Sequence, residues 1–242
     1  MKKITALIMV LCLCLAGCTG SKVDNGDPSG SSSTPTSSQS SNGLHTSADD
    51  YSEVTGPAGQ KYFSELKQIE QSKDDSVAAY VNGSPLYQKD VLRLKANYNY
   101  AINQSLDIMD SQKEKDEWLD KYGKTDRDFL DLAIESMVSD MEAEKAKIQV
   151  DEKEVREYQT QNIATLKTSK PELLEAYLEA YGLTEKEYLE ECIKGTIKSS
   201  KRNLYHESLC PRKNYDNKEE WDKAVKQALK QVMEDYEIEI VD

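Results

Sequence analysis

The second half of this chain repeatedly places a capping residue three positions before an acidic one, and each pair opens an apolar run of helical period. Thr125 with Asp128 precedes Leu130, Ile134, Met137, Val138, Met141 and Ile148. Asp151 with Glu154 precedes Val155, Tyr158 and Ile163. Ser169 with Glu172 opens a shorter run that carries Pro171 in its first turn and stops at Gly182. Thr184 with Glu187 precedes Tyr188, Leu189, Cys192, Ile193, Ile197, Ser200 and Leu204, ending at Pro211. Asn217 with Glu220 precedes Trp221, Ala224, Val225, Ala228, Leu229, Val232 and Tyr236. A side-chain oxygen at the cap satisfies backbone N–H groups that have no partner inside the helix, so these pairs mark helix starts. Earlier, Tyr62, Phe63, Leu66 and Ile69 predict a short amphipathic helix. Val91, Leu94, Tyr98, Ala101, Ile102, Leu106 and Met109 predict a long one after Tyr87.

A chain so patterned must bury helix stripes against one another, which makes it mainly α. Two segments break the period. Val77-Ala78-Ala79-Tyr80-Val81 is an apolar run closed by Asn82-Gly83, and Glu237-Ile238-Glu239-Ile240-Val241 alternates. Both read as strands. A lone strand is unstable, so the expectation is a two-stranded sheet pairing 77–81 with 237–241. No internal repeat is visible.

Residues 19–58 hold Ser, Gly and Thr and almost no large apolar side chains. Such a stretch cannot bury enough surface to offset its ordering entropy and reads as a disordered tether, about 35 Å in r.m.s. span. Before it, Lys2 and Lys3, the apolar run Ile4 to Leu15 and Leu15-Ala16-Gly17-Cys18 form a secretory signal, too short for a comfortable bilayer span. The small residues before Cys18 resemble a bacterial lipobox, in which the thiol is lipidated and the peptide is cut just before the cysteine. The expected organisation is signal peptide 1–17, lipidated Cys18 and tether 18–59, and a helical domain 60–242. The expected address is the extracytoplasmic face of the cell membrane, where ATP is absent. The formal charge of −13 argues against nucleic acid and against attraction to anionic lipid, so the acyl chains would hold the protein to the membrane.

Chemistry-bearing residues are sparse. Cys12 and Cys14 leave with the signal, Cys18 is taken by lipid, and only Cys192 and Cys210 remain. A helix between them separates their Cα atoms by about 27 Å, far beyond the ~7 Å reach of a disulfide. Cys192 lies on an apolar stripe and reads as a small buried hydrophobe. His45 falls in the tether and His206 near a helix end. His206 and Cys210 share a helical face, but a Cys–His nucleophile also needs a pocket and an oxyanion hole, so His206 reads as a residue favoured by the helix dipole. Asp49-Asp50, Asp74-Asp75 and Glu190-Glu191 lack the spacing of a calcium loop. Lys194, Lys198, Lys201 and Arg202 read as the polar face of the long helix. No metal, cofactor or catalysis is expected. Fourteen tyrosines stand against two phenylalanines. An apolar ring with a polar tip suits varied contacts, and Tyr98, Tyr100, Tyr177, Tyr181, Tyr188 and Tyr205 are the candidate peptide-binding residues; the alternative is that they edge a thin core.

The order of these elements resembles the chaperone domain of SurA-like and PrsA-like extracytoplasmic foldases, a helical SurA N-terminal-like, trigger-factor-like fold. Val77 to Leu86 with the helix from Tyr87 resembles the family's opening strand, Val-Asn-Gly turn and first helix. Leu132 to Val138 and Glu142 to Val155 resemble the next helix pair, although Lys147-Ile148 stands where the family's joint carries Gly-Ile. Gly182 to Leu189 resembles the start of the long third helix, and Glu237 to Ile240 the closing strand. The foldases insert a parvulin domain before the last helix. Here that place holds only His206 to Asn217, too short for a core. The resemblance therefore implies an ATP-independent holder of unfolded or newly exported polypeptides, without prolyl isomerase activity. A scaffold lipoprotein binding one defined partner is the alternative, and an enzyme with an unrecognised site the third reading.

Overall fold

The computed structural model describes residues 53–241. Cys18, His45, Asp49-Asp50, the signal-like segment and most of the expected tether lie outside the described residues. Helix α1 (Pro57–Gln71) opens the body. It starts before the expected boundary at residue 60, because Pro57 suits the first helical position, where no N–H partner is needed. The Asp107 carboxylate accepts from Ala58 N, and Glu53 O accepts from the Tyr100 hydroxyl at 2.7 Å.

Strands β1 (Val77–Val81) and β2 (Ser84–Tyr87) form a hairpin. Asn82 and Gly83 both take positive φ (48° and 76°), the geometry whose twist matches flanking strands across a two-residue loop. β3 (Ile238–Ile240) pairs antiparallel with the other side of β1, Tyr80 opposite Glu239. The expected pairing of the chain's two strand segments is present, but the sheet has three strands in the order β2-β1-β3, not two. The missed strand contains Pro85, which weakens any strand reading. It is tolerated because β2 is an edge and its outer side needs no donor. Asn82 also ties the closing segment down, since its N–H donates to Glu237 O and its side-chain oxygen accepts from Glu237 N, both at 2.8 Å.

Seven further α-helices lie between β2 and β3 among the described residues. They are α2 (Gln88–Asp107), α3 (Gln112–Tyr122), α4 (Asp126–Lys145), α5 (Glu152–Ser169), α6 (Pro171–Tyr181), α7 (Glu185–Leu209) and α8 (Lys218–Met233). Thr125 and Thr184 form complete capping boxes with Asp128 and Glu187, while Asp151 and Asn217 accept from the first-turn amides of α5 and α8. Ser169 does not cap α6. It remains the last residue of α5, its hydroxyl bonded to Thr165 O, and Lys170 takes the junction without a side-chain capping bond. Helix α3 was not expected, because no apolar stripe announces it.

Four separate apolar clusters hold these elements. The sheet packs on α2 and α4 through Ala79, Val81, Leu86, Val91, Phe129 and Val138, reached from the far end by Tyr236. Phe129 and Val138 are fully buried, worth about 1.5–3 kcal/mol each. Tyr62, Leu66, Ala96, Tyr100 and Ala180 join α1, α2 and α6. Ile163, Leu174 and Tyr188 join α5, α6 and α7, and Ala143, Tyr205, Cys210, Val225 and Leu229 join α4, α7 and α8. The contacts therefore run in a circuit: α1 to α2, α2 to α4, α4 to α7, α7 to α6, and α6 back to α1.

Candidate functional site

Between its two apolar ends, α7 is held by polar bonds. Arg202 clasps Asp140 of α4 with two bonds of 2.8 Å, and Lys198 joins the same carboxylate at 3.1 Å. Gln159 of α5 donates to Thr196 at 2.7 Å, and Arg156 grips Glu190 with two more. The basic stripe of α7 is thus partly an interhelical clamp and not only a solvated face. α2 and α7, across the circuit, share at most a marginal contact among the described residues.

His206 faces α4, its Nε2 3.0 Å from the hydroxyl of the fully buried Ser139. Burial first, and the Arg202 cation second, push its pKa down to about 4, against the opposing pull of Asp140. It is therefore neutral at ordinary pH, which corrects the reading of a cation favoured by the helix dipole: desolvation outweighs the dipole. Cys210 is buried as the C-terminal cap of α7, its carbonyl accepting from Trp221 Nε1 at 2.6 Å. Cys192 is half-buried against the α5–α6–α7 cluster, and neither Cys192 nor Cys210 forms a disulfide.

The structure brings four of the six candidate tyrosines into one aromatic chain. Tyr100 stacks on Tyr62 at 4.3 Å, and Tyr62 meets Phe63 edge-on at 4.9 Å. Phe63 meets Tyr177 at 5.1 Å, and Tyr188 lies 5.8 Å from both Tyr177 and Tyr181. Tyr62 and Phe63 are members that the six-residue set omitted, although their place on the first amphipathic stripe marked them as inward-facing. Tyr98 lies apart, edge-on to Phe129 at 5.5 Å, and Tyr205 belongs to the α4–α7–α8 cluster. Tyr100, Tyr188 and Tyr205 are buried within the apolar clusters, while Tyr98, Tyr177 and Tyr181 are half-buried. The reason is the polar tip: Tyr62 OH finds Asn97 Oδ1 at 2.7 Å and Tyr100 OH finds a backbone carbonyl, so these rings sit in a thin core where phenylalanine would need no partner. Burial pushes the Tyr98 and Tyr205 hydroxyls up.

Apolar surface remains elsewhere. α3 buries none of its residues. Its half-buried face is Lys115, Trp118 and Tyr122, with Leu119 (43 % exposed) beside it and Ile108 (40 %) just before it. The Trp118 ring lies 4.3 Å from that of Tyr122, and the Tyr122 carbonyl accepts from the Tyr98 hydroxyl at 2.7 Å. The Trp118 indole N–H is enclosed without an acceptor.

This arrangement, a β1–β2 hairpin leading into a helical circuit, agrees with the comparison to known families. A family model of the SurA-like N-terminal domain matches residues 62–201. The chain belongs to this family. The family is of chaperone type, and the match runs from within α1 to within α7. α8 and β3 lie beyond the matched residues and close the sheet and the α4–α7–α8 cluster. No curated protein and no solved structure matches the chain.

Proposed function

We propose that this protein is a membrane-anchored, extracytoplasmic, ATP-independent holder of unfolded or newly exported polypeptides, and that it has no prolyl isomerase activity. Family membership supports a chaperone type of activity. The observation that carries the reading is the α2–α3 end of the body. There Ile108, at the end of α2, and Trp118 and Leu119, on α3, lie outside every apolar cluster, and no residue of α3 is fully buried. Weak, multivalent apolar contacts suit a holder that must let its client go. The connection from α7 to α8 contains only Cys210, Pro211, the short 3₁₀ turn Arg212–Asn214 and Tyr215 to Asn217, which supports the absence of an inserted isomerase. Anchoring rests on the pattern that ends at Cys18.

The test uses the chain without residues 1–17 and with Cys18→Ser. It should suppress light scattering from several unrelated, thermally unfolding clients at a few-fold molar excess. No protection across diverse clients refutes the holder reading. A pull-down that returns one stoichiometric partner instead of many exported chains favours the scaffold alternative. Catalysis of proline isomerisation in a model peptide refutes the non-enzymatic part.

A further inference from the structure

The α2–α3 end carries a more specific consequence, which rests on the holder reading. Tyr98, Ile102, Leu106 and Met109 recur at helical spacing on one face of α2 and its C-terminal turn, and all are half-buried. α3 runs back along this stripe: it begins just after Met109, and Tyr122 at its end is bonded to Tyr98. The two spans are each about 16 Å long, so α3 is long enough to lie along the whole stripe, and it is tied to it at the Tyr98 end. α2 is the one described element with which α3 makes more than marginal contact.

The cover is poorly held. An isolated helix of this length is marginal in water, and α3 adds no buried side chain to offset that. Its central Trp118 encloses an indole N–H with no acceptor, a group that opening would return to water. What fastens the strap is local: the Ser111 cap on Glu114 N, the Tyr98–Tyr122 bond, and the Lys124 ammonium 5.4 Å from the centre of the Tyr98 ring. Gly123 forms the closing joint, where its N–H reaches Leu119 O at 2.6 Å and a Cβ would collide with that oxygen.

We infer that α3 is a displaceable strap: it occupies the Tyr98–Ile102–Leu106–Met109 stripe in the free protein and yields it to an apolar, aromatic-containing segment of an unfolded polypeptide. The occupant's chemistry is read from the strap itself, whose half-buried residues are one long aliphatic stem, Lys115, and two aromatic rings, Trp118 and Tyr122. Displacement makes client binding compete with a resident segment, so affinity is set by how firmly the strap is held.

Hydrogen exchange on the full mature chain tests this. Without client, residues 112–122 should exchange about tenfold or more faster than residues 126–145. Equal protection overturns the strap. With a saturating, permanently unfolded client (a reduced and carboxymethylated protein), 112–122 should lose protection while 98–109 gains it. Aggregation suppression with 98–109 unchanged overturns displacement and leaves the holder function standing. No client binding at all overturns both. Tyr98→Phe, which removes the bond to Tyr122, should speed exchange in 112–122 alone and tighten client binding a few-fold; weaker client binding overturns the competition.

Discussion

The joint between α4 and α5 contains a backbone conformation in conflict with its residue. α4 ends with Lys147 N donating to Glu144 O at 2.9 Å and Ile148 N donating to Ala143 O at 3.1 Å. α6 ends the same way, Gly182 N to Glu179 O and Leu183 N to Leu178 O. Both are Schellman motifs, and both need a left-handed residue after the last helical turn. Gly182 takes it at φ 65°, but at the α4 end the position falls to Lys147 at φ 53°. A side chain there costs about 1–2 kcal/mol, because Cβ crowds the following carbonyl. Replacing it by glycine releases that strain but adds unfolded-state entropy worth about 0.5–1 kcal/mol. The Lys147 side chain is exposed and makes no ion pair among the described residues, so nothing else is lost. Lys147→Gly should therefore stabilise the protein by about 0.5–1 kcal/mol, a rise of a few °C in Tm for a domain of this size. Urea unfolding followed by far-UV circular dichroism measures it. The midpoint should rise with an unchanged m-value, and the reciprocal Gly182→Lys should lower it by about 1 kcal/mol. A lower midpoint for Lys147→Gly would refute the strain argument, because it would mean the lysine side chain contributes more than its backbone costs.

Other expectations follow from the same geometry. His206 is neutral when folded, with its pKa pushed from 6.5 to about 4, so the unfolded chain binds the proton first. Stability should be full above about pH 6.5, fall as pH drops from there toward 4, and level off below, a loss of about 1–2 kcal/mol after allowance for partial exposure; His206→Gln should flatten that limb in unfolding midpoints measured across pH. Asp140→Asn leaves the half-buried Arg202 without its carboxylate and should cost about 2 kcal/mol in chemical unfolding, while Lys198→Ala, at the exposed end of the same cluster, should cost less than about 0.5. Gly123→Ala forces a Cβ onto Leu119 O, so amide exchange in 112–122 should accelerate while the global unfolding midpoint stays nearly constant; a large drop in midpoint would show that α3 is part of the cooperative core.

Helix starts were legible residue by residue because a cap is a local device. Thr125, Asp151, Thr184 and Asn217 each satisfy amides two or three positions away, and no distant contact can change that requirement. Ser169 failed as a cap for an equally local reason: α5 continued through it and its hydroxyl bonded backward along its own helix. β2 was hidden by Pro85, which only an edge position tolerates, and being an edge is a property of the assembled sheet. The burial of Tyr100, Tyr188 and Tyr205 was hidden for a related reason. Composition shows an amphipathic ring, but whether that ring is core or surface depends on whether its hydroxyl finds a partner such as Asn97 Oδ1 or Glu53 O across the fold.

The sequence by itself determined a mainly helical body, the places where most of its helices begin, and the joining of its first and last strand segments. All of these rest on interactions within a few residues, or on the bare requirement that a strand have a partner. Only the tertiary structure decided that the apolar stripes divide into four clusters in a circuit, that His206 is desolvated against Ser139, and that α3 lies outside all of the clusters. Burial is a relation between distant segments, and hydrophobic free energy follows the area that those segments jointly remove from water. A stripe such as Tyr98–Met109 therefore states that it will be covered, while the fold states by what, and how loosely.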